Sequence, residues 1–287
     1  MEPNLLQILL LGLIQGAAEL LPVSSSAHVI VAEKLMGFDP SSPQMTFLLV
    51  MLHCGTMIAV ITYFWKAWKK TFFINSESIR RLVLHSGTAS IATIIVGFGL
   101  KLLIERIVLH GSHSEPEVEH LFGNLSIVGS SLFVAGLLIL AAGFLSPRNS
   151  SRDLSFTSSL WVGISQGITL PFRGLSRSGT TISTGLLLGI SKPRIEEFSF
   201  ALAVIVTPGV VGLEFKRLLK FHTEAASPHS LIHLLAPGLI GMAAAFIAGL
   251  LALRLLSSWL EKGHWAWFGY YCILFSGLVF FLASMGL

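Results

Sequence analysis

The sequence predicts an all-α integral membrane protein with six transmembrane helices, two broken re-entrant helical hairpins and an inverted-topology internal repeat. Three observations predict it: charge is scarce, the charge-free stretches are long enough to cross a bilayer, and two apolar regions are each interrupted by a polar motif. Of the 287 residues, 53 % are hydrophobic and 12 % are charged, whereas soluble domains carry about twice that share of charge. No Asp, Glu, Lys or Arg occurs between Ser41 and Trp65, Leu82 and Leu100, His120 and Pro147, Ala225 and Leu253, or Gly263 and Leu287. Each stretch offers about 20 mainly apolar residues, enough to span hydrocarbon as a helix. A membrane barrel would alternate apolar and polar residues, and these runs do not.

In order, full spans are expected at about 44–65, 82–104, 124–145, 197–215, 231–256 and 265–286, the fourth interrupted by Pro208 and Gly209. The first broken hairpin runs from 5–14 through Gln15-Gly16-Ala17-Ala18-Glu19 and Leu21-Pro22-Val23-Ser24-Ser25-Ser26-Ala27-His28 to Leu35. The second runs from 158–170 through Pro171-Phe172-Arg173-Gly174-Leu175-Ser176-Arg177-Ser178-Gly179-Thr180-Thr181 to Ile190. Non-helical backbone at membrane depth is tolerated only where protein or a wet cavity satisfies it.

Gln15-Gly16 recurs as Gln166-Gly167, Ser25 matches Ser176 at the same distance from its Gln, and Thr46-Phe47-Leu48-Leu49 resembles Ser199-Phe200-Ala201-Leu202. The chain therefore divides into repeats of about 1–150 and 151–287 within a single membrane domain. Each unit is one hairpin plus three spans. An odd number of crossings inverts the second unit against the first, so that the hairpins enter from opposite faces and meet near the middle.

Loop 66–81 holds five Lys/Arg against Glu77 and is expected in the cytoplasm. The next loop, with Glu105, Glu115, Glu117 and Glu119 against Arg106, suits the outside; Arg148 and Arg152 return to the inside; Lys216, Arg217 and Lys220 then fall outside, against the rule. The formal charge of +4 comes without a basic patch beside an aromatic platform, so nucleic acid is not an expected partner. Cys54 and Cys272 lie in apolar spans as small hydrophobes. No basic n-region with a cleavage site opens the chain, so a removable signal peptide is not expected.

Glu19 stands between apolar segments, where a carboxylate is costly and faces a cavity or a partner. Gln15, one turn earlier, shares its face. Pro22 and the serines 24–26 signal a helix start whose free N–H groups favour an anion. His28 follows Ser25 by three residues, so a hydroxyl and an imidazole share a helical face and are expected to pair, Ser25 attacking with His28 as base; direct attack by His28, or activation of water, fits the same spacing. The second turn supplies the cation. Arg177 sits among Ser176, Ser178 and Thr181, with Gly174 allowing close backbone approach and Arg173 adding charge, a set suited to phosphate or pyrophosphate.

Gln15-Gly-Ala-Ala-Glu19 with Leu21-Pro-Val-Ser-Ser-Ser-Ala-His28 resembles the first signature of the undecaprenyl-pyrophosphate phosphatase family, the bacitracin-resistance type; Gly174-Leu-Ser-Arg-Ser-Gly-Thr-Thr181 resembles the second. The similarity covers essentially the whole chain, including Glu196-Glu197-Phe198-Ser199-Phe200. Two departures stand out: Arg173 replaces the family Pro, and the stretch from Gln166 to Ser176 is one residue longer than usual. The resemblance implies release of the terminal phosphate of undecaprenyl pyrophosphate, which recycles the lipid carrier for peptidoglycan synthesis at the outer face of the bacterial inner membrane and bears on bacitracin resistance. It also implies a divalent ion, Mg²⁺ or Ca²⁺, bridging Glu19 and the substrate. Glu19, Ser25, His28 and Arg177 are then the expected catalytic residues, and Gln15, Ser24, Ser26, Arg173, Gly174, Ser176, Ser178 and Thr181 the expected substrate ligands. The rival reading is a transporter or flippase of a phosphate-bearing lipid, since inverted broken-helix repeats are also a transport architecture. Oligomeric state is open between monomer and homodimer.

Overall fold

The computed structural model describes residues 3–39, 42–107, 124–147, 151–224 and 231–286. These form ten helices: α1 (Leu5–Leu20), α2 (Ser25–Leu35), α3 (Pro43–Thr71), α4 (Ser76–Ile107), α5 (Leu125–Leu145), α6 (Phe156–Thr169), α7 (Arg177–Leu187), α8 (Lys192–Glu224), α9 (Leu231–Glu261) and α10 (Trp265–Ser284). Among the described residues the only bridge of strand type joins Arg152 to Ile190.

Among the described residues, five helices are long and apolar enough to cross a membrane: Met45–Thr71, Ser76–Arg106, Leu125–Leu145, Leu235–Glu261 and Trp265–Ser284. Their outer faces carry large apolar side chains. Ile94, Ile95 and Phe98 on α4 and Leu274 on α10 are each more than 60 % exposed, a distribution suited to lipid and not to water. This is a multi-pass membrane protein. The expected fourth span lies within α8, which continues past Pro208 as helix. A proline removes one i→i−4 hydrogen bond, and a 33-residue helix carries that loss without ending.

The basic loop expected at 66–81 is shorter than its charge pattern suggests. Lys66, Lys69 and Lys70 ride on the last turns of α3 and Arg80 and Arg81 on the first turns of α4, leaving a connection of 72–75. Long cationic side chains keep their charge in the interface while their stems continue an apolar helix. Of the acidic loop, Glu115, Glu117 and Glu119 fall outside the described residues, as does Arg148.

The order short, short, long, long, long occurs twice, as α1–α5 and α6–α10. The packing follows the same order: α1 lies along α9 and α6 along α4, while α3 meets α8 and α5 meets α10. Exchanging each helix for its counterpart maps this set of contacts onto itself. The sequence echo has a packing cause. A Cβ on Gly16 would run into the Ala245 carbonyl of α9, and one on Gly167 would lie 2.8 Å from Val96 Cβ and 2.9 Å from Thr93 O of α4. Small residues let helix backbones approach closely in lipid, where no hydrophobic effect drives helices together.

Between the short helices lie two turns, 21–24 and 170–176. Ser24 caps α2 through Ala27 N and Ser176 caps α7 through Gly179 N. The equivalent residues are therefore Ser24 and Ser176, and not the Ser25 and Ser176 that equal spacing suggests. The second turn is longer than the first, and α6 ends sooner after Gln166 than α1 does after Gln15, which leaves one extra residue before the second cap. Ser25 and Arg177 thus occupy the same place, the first position of a half-helix.

Candidate active site

Glu19 lies in the last turn of α1, just before the first turn. Its Oε1 accepts a hydrogen bond from Arg177 Nη2 at 2.8 Å, across the interface between the two hairpins. Its Oε2 accepts from Ser25 Oγ at 2.5 Å and from Gln15 Nε2 at 3.3 Å. The first residues of α2 and α7 therefore grip one carboxylate from two sides. Charge-assisted bonds of this kind are about twice as strong as neutral ones. The ion pair is shielded, with side-chain exposures of 24 % for Arg177 and 16 % for Glu19.

The turns also lock to each other. Gly174 N donates to Ser26 Oγ at 3.3 Å, and Ser178 Oγ donates to Leu21 O at 3.4 Å. Gly174 has φ +111°, and a Cβ there would strike the Val128 carbonyl, so only glycine fits this crossing without distortion. Ser24 reaches φ +67° without being glycine; a non-glycine residue in this region costs about 1–3 kcal/mol.

Two buried atoms in the cluster lack a hydrogen-bond partner among the described residues: Gln15 Oε1 and Arg177 Nη1. Leaving such a group unpaired costs about 1–3 kcal/mol. One is an acceptor suited to a cation and the other a donor suited to an anion.

Ser25 and His28 do not form the expected pair. Ser25 donates to Glu19, while His28 places Nδ1 2.7 Å from Ser24 O and Nε2 2.7 Å from Tyr271 OH on α10. Helical spacing brought the two residues to one face, but an ionised acceptor holds the hydroxyl more strongly than an imidazole can. The expected hydroxyl cradle is also used otherwise. Ser176 Oγ accepts from Gly179 N at 3.1 Å, and Thr181 Oγ1 donates to Arg177 O at 2.9 Å and meets Ser199 Oγ at 2.7 Å. These hydroxyls shape α7 around Arg177. Arg173 stands next to Gly174 within electrostatic reach of Glu33, a carboxylate on α2 that is 3 % exposed.

Sequence reasoning missed two groups. His53 of α3 donates through Nδ1 to Leu49 O at 2.8 Å and turns Nε2 towards Glu19 Oε2, 3.7 Å away; an ionisable residue inside an apolar run was the available signal. Tyr271 carried none, because tyrosines are common near membrane interfaces.

No group of three or more His, Cys, Asp or Glu side chains able to hold a metal occurs among the described residues. Oxygen-preferring ions are often held by one or two carboxylates plus substrate phosphates. The Glu19 carboxylate and the unpartnered Gln15 Oε1 fit that partial set.

The family model described as Bacitracin resistance protein BacA matches residues 8–278. The chain is 52 % identical to Undecaprenyl-diphosphatase 2 of Acinetobacter baylyi, with 98 % of each chain covered. It is 32 % identical to an undecaprenyl-diphosphatase of Christiangramia forsetii over 94 % of this chain and 95 % of that one, and 31 % identical to one of Halothermothrix orenii over 98 % and 99 %. With both turn motifs converging on Glu19 and the match running nearly end to end, the chain belongs to the bacitracin resistance protein BacA family.

Proposed function

We propose that this protein hydrolyses undecaprenyl diphosphate to undecaprenyl phosphate and inorganic phosphate, and so recycles the lipid carrier for cell-wall glycan synthesis. The observation that carries the mechanism is the convergence of Ser25 and Arg177, from two hairpins, on the carboxylate of Glu19. Arg177 Nη1, buried and unpartnered, donates to the terminal phosphate, as do the free N–H groups at the starts of α2 and α7.

Ser25 is the nucleophile. Its proton passes to Glu19 Oε2, the atom it already touches, while Oγ attacks the terminal phosphorus in line. The bond from that phosphorus to the bridging oxygen breaks, and Glu19 gives the proton to the departing undecaprenyl phosphate. Water then attacks the phosphoserine. Its proton goes to Glu19 and on to Ser25 Oγ, restoring both groups and releasing inorganic phosphate. Glu19 and Gln15 would hold a divalent ion, Mg²⁺ or Ca²⁺, which when bound neutralises charge on the diphosphate oxygens.

The finer topology is six spans, α8 included, with α1–α2 and α6–α7 as re-entrant hairpins of two inverted repeats. The matching pairings of α1 with α9 and α6 with α4, and of α3 with α8 and α5 with α10, support it. The Lys and Arg residues flanking 72–75 favour a cytoplasmic α3–α4 connection. In this reading the start of α3, and with it the mouth of the first hairpin, faces the periplasmic side of the inner membrane. An apolar groove of about 360 Å³, lined by Leu13, Ala17, Leu21, Ile247, Leu251 and Leu255, runs beside the first hairpin and suits the prenyl tail.

The test is phosphate release from undecaprenyl diphosphate by purified protein in detergent, where no compartment exists for transport. Release by the wild type, nearly abolished in folded Arg177→Ala, is the expected result. Intact substrate throughout would favour the transporter reading, and normal turnover by the variant would end the role of Arg177.

A further inference from the structure

His28 is held more tightly than a lone histidine on α2 requires. Nδ1 lies 2.7 Å from Ser24 O, and Nε2 lies 2.7 Å from Tyr271 OH. The ring stacks on Phe275 with centroids 4.0 Å apart and planes 3° apart, and stacks on Tyr271 at 5.6 Å and 9°. Two residues one turn apart on α10 therefore clamp it, one by its face and the other by its edge. Next to Tyr271, Cys272 Sγ lies 3.4 Å from Pro22 O, so α10 grips the first turn itself as well as the helix that follows.

A carbonyl oxygen can only accept, so the bond to Ser24 O requires a proton on Nδ1. In the neutral ring Nε2 is then the acceptor, and the Tyr271 hydroxyl donates to it. The His28 lone pair is directed at α10, away from Ser25. That direction matters because Ser25 and His28 share a face of α2, and a freely turning imidazole could compete for the serine hydroxyl.

We propose that Tyr271 is a positioning residue for the reaction, acting through His28. By occupying Nε2 it keeps the imidazole from Ser25 and leaves Glu19 as the proton acceptor that Ser25 touches. The groups facing His28 are the Ser24 carbonyl on its own segment and Tyr271 and Phe275 on α10. The inference rests on the phosphatase reading with Ser25 as nucleophile.

Tyr271→Phe keeps the ring and its stacking and removes only the hydroxyl. Freeing the imidazole to compete with Glu19 for the Ser25 hydroxyl is expected to lower kcat about tenfold, the scale of one hydrogen bond, with KM for undecaprenyl diphosphate within about twofold of wild type. Nitrogen-15 spectra of histidine-labelled protein, with the His28 resonances assigned by comparison with His28→Asn, report the clamp directly. Nε2 is expected as a hydrogen-bonded acceptor in wild type and as an acceptor without its donor in the variant. In the His28→Asn background the tyrosine substitution should cost little more, because both act through one ring. An unmoved Nε2 resonance, an unchanged kcat, or an additive loss in the double variant would each overturn the proposal. Failure of the wild type to release phosphate would instead overturn the phosphatase reading, so the two outcomes are separable.

Discussion

The two turns are built to one plan and given opposite charge. Each follows a half-helix carrying Gln-Gly and ends on a serine cap. Each then delivers its next residue, Ser25 or Arg177, to Glu19. The first turn bends through Ser24 at φ +67°, while the second bends through Gly174 at φ +111°. Strain is thus kept where the carboxylate, the hydroxyl and the imidazole stand, whereas the second turn relaxes through glycine and brings in a cation. The two turns share a cap position; the residue that follows each cap differs in charge and meets Glu19 from its own side.

If the first turn supplies both base and nucleophile, breaking it should cost most. Glu19→Gln removes the proton acceptor and an ion ligand and is expected to lower phosphate release at least about 10³-fold, within the range for a general base. Steady-state turnover checks it. Ser25→Ala should lose about 10²–10³-fold and abolish a phosphoryl adduct that rapid quenching traps on wild-type protein. A trapped adduct on His28 would reassign the nucleophile.

The second turn should respond in stability as well as in rate. Gly174→Ala forces a Cβ into the Val128 carbonyl at a positive φ, so unfolding is expected about 1–3 kcal/mol easier, read as a lower melting temperature. Arg173→Ala should lower the melting temperature more than kcat, because the cation it removes lies near the buried Glu33.

Glu19 and Arg177 were legible in the sequence because lone charges in apolar stretches stand out, and the glycines and hydroxyls around Arg177 marked a turn. Partners were not legible. Helical spacing set Ser25 and His28 on one face, but Glu19 six residues before one and Tyr271 on a distant helix decided what each touches. Arg173 read as a phosphate ligand from its neighbours in sequence, and its electrostatic link to Glu33 on α2 was not legible there. Pro208 suggested an interruption that a long helix absorbs. Local chemistry picked out the charged groups, and the meeting of segments more than 150 residues apart decides which of them touch.

The smallest effect lies outside the site. Arg194 donates to both oxygens of Asp153, at 2.6 and 3.1 Å. Those bonds hold the carboxyl below its ordinary value of 3.8 against the opposing effect of burial. A depressed carboxyl contributes stability above its unfolded pKa and loses it as pH falls through the folded one. Asp153→Asn should therefore reduce stability at neutral pH by no more than about 1 kcal/mol, as exposed pairs do, with the difference vanishing below 3.8. Melting temperatures across that range measure it.

The most direct test of a shared catalytic site is a double-mutant cycle on Glu19 and Arg177, read as phosphate release from undecaprenyl diphosphate in detergent. Two groups acting on one phosphate should lose most activity in either single variant and little more in the double, the non-additivity expected of residues that work as a unit. Independent losses that multiply in the double variant would contradict a common site for the two turns.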